Sequence, residues 1–554
     1  MGAQDGAPAV TIPHFVQSAP QPRNGLRDDW LVRSFVRHRL PPDVREIEPE
    51  LAELGALAAG PLWNFQCADR ANEPRLTRFD AWGRRIDLIE PSPLWREAER
   101  LAVRYGLTAH PQERAYGSWS RLHQFLLVHL FHPVTDVYTC PLAMTDGAAR
   151  TLLASGNQRL IERAVPHLTS RKPEHFWTSG QWMTEATGGS DVGLSLTRAE
   201  LREGTWRLYG KKWFTSAATS QMALTLARPE GNGPGGGGLA LFYVETRDDK
   251  GRLNGIAVER LKDKLGTRKV PTAEITLDGT VAQLVAGTTQ GTRSIEPMLR
   301  VTRTWNSVCA ASFLRYGLGL AEDYASKRVA FGAPLAAQPL HRATLDDLDA
   351  ESAGAFLLAL LLAELLGRDE GNELDASEAA LLRLLTPVAK ATTGRQAVAG
   401  VSEIVEAFGG AGYVEDTGIP VLLRDAQVLP IWEGTTNVLS LDLLLRADLD
   451  QGLAALRQRV VRACSAARGG ALRAAGAASL AALERAMNWH AATREPTARQ
   501  RAARDFALTL GRALQLALLV EHAAALAGTA EADAAQAACA RYQRLGVDLL
   551  RAEQ

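Results

Sequence analysis

The sequence predicts an α+β protein made of an N-terminal helical domain, a central antiparallel β domain, a helical-bundle domain and an extra C-terminal helical extension. The main observation is that helix-like and strand-like segments occupy separate stretches of the chain, which argues against a doubly wound parallel sheet. The second observation is size and composition. The chain has 554 residues, of which 46% are hydrophobic and 22% charged, as expected for a globular protein of several domains.

The first predicted domain, residues 1–176, combines an extended arm with helices. Residues 1–25 are rich in Pro, Gln and Gly, which favours an extended conformation. From residue 28 to about residue 170, long segments of Leu, Ala and Arg indicate helices, and prolines such as Pro91 and Pro111 mark where helices stop or start.

The second predicted domain, residues 177–287, has the pattern of an antiparallel β domain. Its apolar segments are short and partly alternating, as in 205–210 and 239–245. Turn signals separate them, including Asn254-Gly255 and Asp278-Gly279.

Helical patterns return in the predicted bundle, residues 288–447, and continue through the predicted extension, residues 448–554. No lysine follows Lys390, and from Arg446 onward there are 15 Arg against 10 Asp and Glu. In a helix opened by Pro496, three arginines fall within about 80° of one another on the helical wheel; these are Arg501, Arg504 and Arg512. Such a stripe is a candidate contact for the phosphates of double-stranded DNA, although an Ala/Leu/Arg helix is also typical of a solvated face.

Charge and cysteine content exclude several classes of protein. Lys and Arg total 62 and so do Asp and Glu, which argues against a generally basic nucleic-acid-binding protein. The five cysteines are scattered without a C-x-x-C pair, which argues against a disulfide framework or a thiolate zinc site.

The N-terminal sequence lacks the features of a signal peptide. The apolar runs 356–366 and 507–528 are too short or interrupted by charges, so both are predicted to be buried helices rather than membrane spans. We expect a cytoplasmic protein with no membrane partner.

Two motifs have simpler explanations than the ones they first suggest. Residues 231–236 satisfy G-x-G-x-x-G, but a strand pattern follows instead of a helix, so a flexible loop is predicted rather than a dinucleotide site. The histidines His123, His129 and His132, with Asp136 nearby, have spacings compatible with a metal site. We favour packed histidines and predict no metal site, because no H-E-x-x-H motif accompanies them.

Three separated segments carry residues suited to chemistry. Residues 182–191 form a turn in which hydroxyl groups stand beside glycines that allow a ligand to approach the backbone. Residues 211–216 place Trp213, which can stack on a flat ligand, beside the hydroxyl of Thr215. Residues 431–437 place Glu433 beside Trp432. A carboxyl held against an indole is poorly solvated, so its pKa should rise toward the range of a general base.

Together these segments resemble the acyl-CoA dehydrogenase superfamily, and more closely its AidB-like branch. The superfamily's motifs occur in the expected order, as T-E-x-x-x-G-S-D at 184–191, K-x-W-F-T at 211–215, R-x-x-F-G at 328–332, G-G-x-G at 409–412 and W-E-G-T at 432–435. The resemblance implies an acyl-CoA dehydrogenase-like α+β fold with bound FAD, a homotetramer, and α,β-dehydrogenation of an acyl-CoA thioester.

The resemblance also implies roles for individual residues. Glu433 matches the catalytic base. Some members carry the base on the helix that opens the next domain, but Thr302 stands at that position here. The matching FAD positions are Met183, Thr184, Gly189 and Ser190 along the flavin and phosphate groups, Trp213 and Thr215 at the flavin ring, Arg328 and Phe331 at the FAD of a neighbouring subunit, Gly409 and Gly410 across that interface, and Thr435 and Asn437 near the adenine half.

Two functional hypotheses follow. One is an FAD-dependent acyl-CoA dehydrogenase, with electron-transfer flavoprotein or oxygen as the electron acceptor. The other is a DNA-associated flavoprotein of the alkylation-damage response, with weak or no dehydrogenase activity, which the AidB-like resemblance and the arginine excess suggest.

Overall fold

The computed structural model describes residues 16–446 and 448–550. Most of the predicted N-terminal arm, residues 1–15, lies outside the described residues. The elements of the N-terminal domain are α1 (Trp30–Arg39), α2 (Glu48–Ala59), α3 (Pro61–Asp69), β1 (Arg75–Phe79), β2 (Arg85–Glu90), α4 (Pro93–Arg104), α5 (His110–Glu113), α6 (Ser120–Phe131), α7 (Thr139–Ser155) and α8 (Gln158–Leu168).

The β1–β2 hairpin is an exception in an N-terminal domain that is otherwise helical, as predicted. An Asp80 side-chain oxygen accepts hydrogen bonds from the backbone N–H groups of Trp82 and Arg84, which stabilises the turn. Asp87 anchors the hairpin to the β domain by accepting a 2.8 Å bond from the N–H of Val258. The hairpin was missed because its strands are rich in arginine and mostly exposed, so they lack a clear apolar alternation.

The β domain is antiparallel except at two strand pairs. Its strands are β3 (Ser179–Trp182), β4 (Arg198–Arg202), β5 (Thr205–Thr215), β6 (Met222–Pro229), β7 (Ala240–Glu245), β8 (Ile256–Leu261) and β9 (Ala273–Leu284). The β3–β6 and β4–β6 pairs are parallel, and the pairing runs β6–β7–β9–β5–β4 and returns to β6. The 231–236 loop leads into β7, which confirms that it precedes a strand.

The remaining elements are mostly helices. In the bundle they are α9 (Gly291–Ser294), α10 (Glu296–Lys327), β10 (Val329–Ala330), β11 (Ala333–Pro334), α11 (Pro339–Glu370), α12 (Ala376–Ala407), α13 (Gly410–Tyr413), α14 (Ile419–Ala426) and α15 (Thr436–Leu444). In the extension they are α16 (Leu449–Ser465), α17 (Gly470–Ala492), α18 (Pro496–Ala525) and α19 (Ala532–Arg544).

Helix α10 is the central element of the fold because it packs against α6 and α7 of the N-terminal domain and against α11 and α12 of the bundle. Its Trp305 is fully buried and donates a 2.8 Å hydrogen bond to Asp146 of α7. Further along the helix, Arg315 forms a buried ion pair with Asp29 at 2.6 Å. These contacts hold α10 against the N-terminal domain, and the candidate active site lies near the start of this helix.

Within the described residues, one helix, α11, is long and apolar enough to cross a membrane. However, 89% of its most apolar window is buried inside the protein. Helix α11 contacts α10, α12, α18 and α19, as an internal core helix does, and this agrees with the prediction of a buried helix at 356–366.

Candidate active site

Glu433 lies on a left-handed turn that faces the start of α10. Its φ is +58°, and Gly434 follows with φ of +100°. Thr302 donates a 2.8 Å hydrogen bond to a Glu433 carboxylate oxygen, and Arg303 donates from Nε to the Glu433 backbone carbonyl at 3.1 Å. Burial raises the pKa of the Glu433 carboxyl, and these neighbours offset only part of the rise. The site therefore holds a carboxyl whose proton affinity is raised, as a general base requires.

The indole of Trp432, which precedes Glu433 in the sequence, is held in place by α10. The Nε1–H of Trp432 donates to Asn306 of α10, which fixes the ring. Thr302 and Arg303 contact Glu433 from α10, and a further cation comes from α12. The Nζ of Lys390 donates to the carbonyl of Gly434 at 2.6 Å, and burial lowers the pKa of Lys390 to about 7.

Gln181 in strand β3 and Met183, which follows the strand, lie beside Glu433. Gln181 donates from Nε2 to the sulfur of Met183 at 3.2 Å, and a hydrogen bond from Gln181 lowers the pKa of Glu433. Gln181 therefore contacts both Met183, a predicted FAD contact, and Glu433, the predicted base. The buried Oε1 of Gln181 has no hydrogen-bond partner among the described residues.

The predicted hydroxyl-rich turn and the tryptophan strand are adjacent. The backbone N–H of Trp213 donates to the carbonyl of Thr184 at 2.9 Å. Below this contact, Lys212 is fully buried and forms a 2.8 Å ion pair with Glu185. Although burial alone would raise the pKa of Glu185, Lys212 and the hydroxyls of Ser195 and Thr197 lower it to about 2.

The ring of Trp213 has one covered face, because the Nζ of Lys262 lies 3.6 Å from its centroid. The predicted hydrogen bond from Thr215 needs a correction. Its side chain is fully buried and its hydroxyl donates to the carbonyl of Ala273 at 2.7 Å, so this proton is already used within the β domain. The Lys262 contact was missed because lysine and tryptophan are 49 residues apart in the sequence.

A second group of predicted FAD contacts lies at the other end of α10. Arg328 is the residue that caps α10, and Phe331 is 98% exposed at the tip of the β10–β11 hairpin. Gly409 and Gly410 lie close by, since Phe408 packs against Tyr324 with ring centroids 4.8 Å apart. At 1.5 Å per residue, about 39 Å of helix separates Thr302 from Arg328.

Thr435 and Asn437 belong to the first group, because they follow Glu433 directly. The Thr435 side chain accepts a hydrogen bond from the N–H of Val438 and caps α15. Asn437 is exposed in the first turn of that helix. The N-terminal end of a helix favours negatively charged groups, as the predicted contact with the adenine half and its phosphates requires.

The residues of the first group fit a bound flavin. Residues 186–191 are exposed. A Cβ on Gly189 would lie 2.6 Å from the Thr184 hydroxyl, so only glycine keeps this backbone open to a ligand. The unpaired Oε1 of Gln181 also offers an acceptor that a polar ring would satisfy.

The three candidate arginines of α18 do not form one exposed stripe. Arg501 is exposed and Arg504 is half-buried, but Arg512 is bound inside the protein. It pairs with Glu351 at 2.7 Å and donates to the carbonyl of Gly546 at 2.7 Å. Arg512 is therefore not available to a phosphate. The sequence could not predict this, because a helical wheel does not show which neighbours pack against each face of the helix. Arg501 and Arg504 as DNA contacts remain a prediction.

His132 and Asp136, two members of the histidine cluster, have hydrogen-bond partners within the protein. His132 bonds to Thr139 at 2.8 Å, and Asp136 accepts a bond from Gln66 at 2.6 Å. Among the described residues, Glu50, His110 and His123 have potential ligand atoms within 4.8 Å of one another. Within this group, Glu50 contacts His123 at 2.7 Å and the Arg171 guanidinium lies 3.4 Å from His110. A cation at this distance opposes metal binding.

A cavity of about 670 Å³ lies away from Glu433, between α1, α11 and α18. Several of the charges that line it pair with one another, in Arg39–Glu364, Arg368–Glu378 and Arg459–Glu521.

Comparison with known families agrees with these observations. Residues 18–174 match the adaptive response protein AidB N-terminal domain, residues 180–280 the acyl-CoA dehydrogenase middle domain, and residues 289–447 the acyl-CoA dehydrogenase C-terminal domain. Together these matches cover most of residues 18–447.

Individual relatives match over most of their length. The chain is 42% identical over 441 residues to acyl-CoA dehydrogenase family member 11 of Caenorhabditis elegans, covering 78% of this chain and 72% of that protein. It is 32% identical over 451 residues to the putative acyl-CoA dehydrogenase AidB of Escherichia coli, covering 78% and 80%. The structure of the C. elegans protein in complex with C11-CoA superposes with a TM-score of 0.92 at 38% identity, covering 98% of this chain and 94% of that one.

Proposed function

The chain belongs to the acyl-CoA dehydrogenase family, in its AidB-like branch, and we propose that it is an FAD-dependent dehydrogenase of acyl-CoA thioesters. The observation that carries the proposal is the setting of Glu433. A buried carboxyl with a raised pKa lies on a left-handed turn, with Thr302 bound to one oxygen. That arrangement suits a base that removes a proton from carbon.

In the proposed reaction, a Glu433 oxygen takes the proton from the α-carbon of the thioester, and the α,β double bond forms as the β-hydrogen leaves with its electron pair. When bound, FAD supplies the acceptor for that hydride. Met183, Thr184, Gly189, Ser190 and Trp213 would hold the flavin on the side of β3 and β5. Glu433 would face the substrate from the 431–434 turn, and Thr302 would face it from α10. The C. elegans relative was solved with C11-CoA, which supports an acyl-CoA substrate here.

The proposed active form is a homotetramer in which each FAD is shared between chains. About 39 Å of helix separates the Glu433 end of α10 from the Arg328 end, so one chain does not bring both groups of predicted contacts to the same FAD. Phe331, Gly409 and Gly410 are all exposed, which leaves them open to a neighbouring chain.

The test is an anaerobic titration of the purified flavoprotein with saturated acyl-CoAs of increasing length, including C11, while the flavin absorbance is followed. We expect rapid bleaching by one range of chain lengths, and no bleaching in the Glu433→Gln variant with its FAD retained. A wild-type flavin that none of the acyl-CoAs reduces would contradict the proposal, as would unchanged bleaching in the variant.

A further inference from the structure

The turn that carries Glu433 has two carbonyl groups, and each binds a cation from a neighbouring helix. Glu433 is a non-glycine residue in the left-handed region, a strained conformation that persists only when its surroundings hold it. Arg303 binds the carbonyl of Glu433 at 3.1 Å, and Lys390 binds the carbonyl of Gly434 at 2.6 Å. Two cations from two different helices therefore hold successive peptide groups of the same strained turn.

A buried lysine has a larger desolvation penalty than a neutral donor that could bind the same carbonyl. The side chain of Lys390 is fully removed from water, and a buried ammonium group destabilises the fold unless another charge compensates it. A neutral amide would satisfy the Gly434 carbonyl at a lower cost. The charged groups that interact with Lys390 are the carboxylate of Glu433 and the guanidinium of Arg303, and of these only Glu433 compensates it.

The groups facing Glu433 give the cations a second role. Thr302 and Arg303 face it from α10, Lys390 from α12 and Gln181 from β3, and each lowers the pKa that burial raises. The thiol of Cys140 in α7 also lies close enough for its titration to feel the carboxylate. Positive charge behind the carboxylate keeps a buried acid ionised, and hence able to accept a proton, at lower pH.

We propose that Lys390 is a positioning residue of the active site, which with Arg303 holds the Glu433–Gly434 turn and keeps Glu433 ionised in its buried setting. The inference rests on the proposed function, in which Glu433 is the base. Lys390 itself touches neither substrate nor cofactor in this assignment and acts through Glu433.

The experiment compares wild-type holoprotein with Lys390→Met in two readouts. The first is infrared titration of the Glu433 carboxyl, whose band is identified as the one missing in Glu433→Gln. Removing the positive charge should raise the pKa of Glu433 by about 1 unit. The second is the pH profile of flavin reduction, in which the acid limb should move to higher pH by the same amount. The rate at a fixed pH on that limb should then fall about tenfold, with recovery at high pH.

A matched control is Lys269→Met. Lys269 is also a buried lysine, bonded to a carboxylate oxygen of Asp69 at 2.8 Å and to the Asn72 carbonyl at 2.9 Å, in contacts that do not include Glu433. This variant should lose stability but leave the pKa of Glu433 unchanged. If Lys390→Met does not fold, Arg303→Gln replaces it as a milder change, because Arg303 is only half-buried, and it should raise the same pKa.

The outcomes separate the two proposals. An unchanged Glu433 pKa in a folded Lys390→Met or Arg303→Gln protein would overturn the role of the cations. A shifted carboxyl band in a protein that no acyl-CoA reduces would support the inference about Lys390 and contradict the proposed function. A shift of both the band and the reduction profile supports both.

Discussion

The ammonium group of Lys212 lies 2.8 Å from a carboxylate oxygen of Glu185, and both side chains are buried. Glu185 also accepts bonds from the N–H of Leu196 at 2.7 Å and the hydroxyl of Thr197 at 2.6 Å, and Lys212 donates to the carbonyl of Leu226 at 2.8 Å. This pair therefore ties the exposed 186–191 turn to β5 and β6, the strands beside it.

Lys212→Met should destabilise the protein by about 3–5 kcal/mol, because it leaves the Glu185 charge buried without its partner. Urea unfolding followed by tryptophan fluorescence measures the loss. The double variant Lys212→Met with Glu185→Gln should lose less than the sum of the two single variants, since it leaves no unpaired charge. Equal unfolding midpoints for wild type and Lys212→Met would contradict this interpretation of the pair.

The same pair predicts an acid-labile fold. The pKa of Glu185 is about 2 in the folded protein and near 4.5 when unperturbed, so the folded state binds this proton more weakly than the unfolded state. Its contribution, on the order of 3 kcal/mol, is complete above pH 4.5 and is lost as pH falls from 4.5 toward 2. Unfolding free energies measured across this range should show the loss in wild type. The Lys212→Met with Glu185→Gln protein should show a flatter dependence.

Gly189→Ala should weaken FAD binding about tenfold, or about 1.4 kcal/mol, because the new Cβ would stand 2.6 Å from the Thr184 hydroxyl and displace it. Fluorescence titration of the apoprotein with FAD gives the dissociation constant. Gly233→Ala is the matched control in the same domain, because a Cβ at Gly233 meets no atom within 4 Å. Similar FAD affinities in the two variants would contradict the proposal that Gly189 contacts the bound FAD.

Thr302→Val keeps the shape of the side chain but removes the donor that lies 2.8 Å from the Glu433 carboxylate. The pKa of Glu433 should rise further, and the acid limb of the pH profile of flavin reduction should move up by about 1 unit. Thr304→Val is the control, since the Thr304 hydroxyl bonds to the backbone carbonyl of Arg300 instead. A profile that moves equally in both variants would point to a general change in α10.

Arg512→Gln should lower the free energy of unfolding by about 1–3 kcal/mol, because it breaks the ion pair with Glu351 and the bond to the Gly546 carbonyl. Arg501→Gln, at an exposed position of the same helix, should change it by less than about 0.5 kcal/mol. Thermal denaturation of the two proteins side by side tests the assignment of Arg512 to the interior. Equal stability of both variants would contradict the assignment of Arg512 to the interior.

Sequence reasoning succeeded where the residues of a feature are close together in the chain. The order of helices, strands and helices follows from local periodicity, and the fold class agrees with the structure. The contact between Thr184 and Trp213 joins two motifs that the sequence already grouped, and the left-handed turn at Glu433 is followed by the glycine that such turns favour.

Sequence reasoning failed where a side chain's role depends on a distant partner. Thr302 bonds to a residue 131 positions away, and Lys390 to one 44 positions away, so neither appears in a local pattern. Arg512 was misplaced for the same reason, since its partner Glu351 lies 161 residues earlier. The bound hydroxyl of Thr215 was also out of reach, because its acceptor belongs to another strand.

Helix α10 connects the catalytic end of the protein with the N-terminal domain. Over a few turns it holds Glu433 through Thr302, binds Asp146 through Trp305, donates to the carbonyl of His129 through Ser312 and pairs with Asp29 through Arg315. The N-terminal domain is therefore not an exchangeable module. A chimera that combines α10 with the N-terminal domain of another protein would change the partners of Trp305, Ser312 and Arg315. The resulting shift of α10 would move Thr302 and, with it, Glu433.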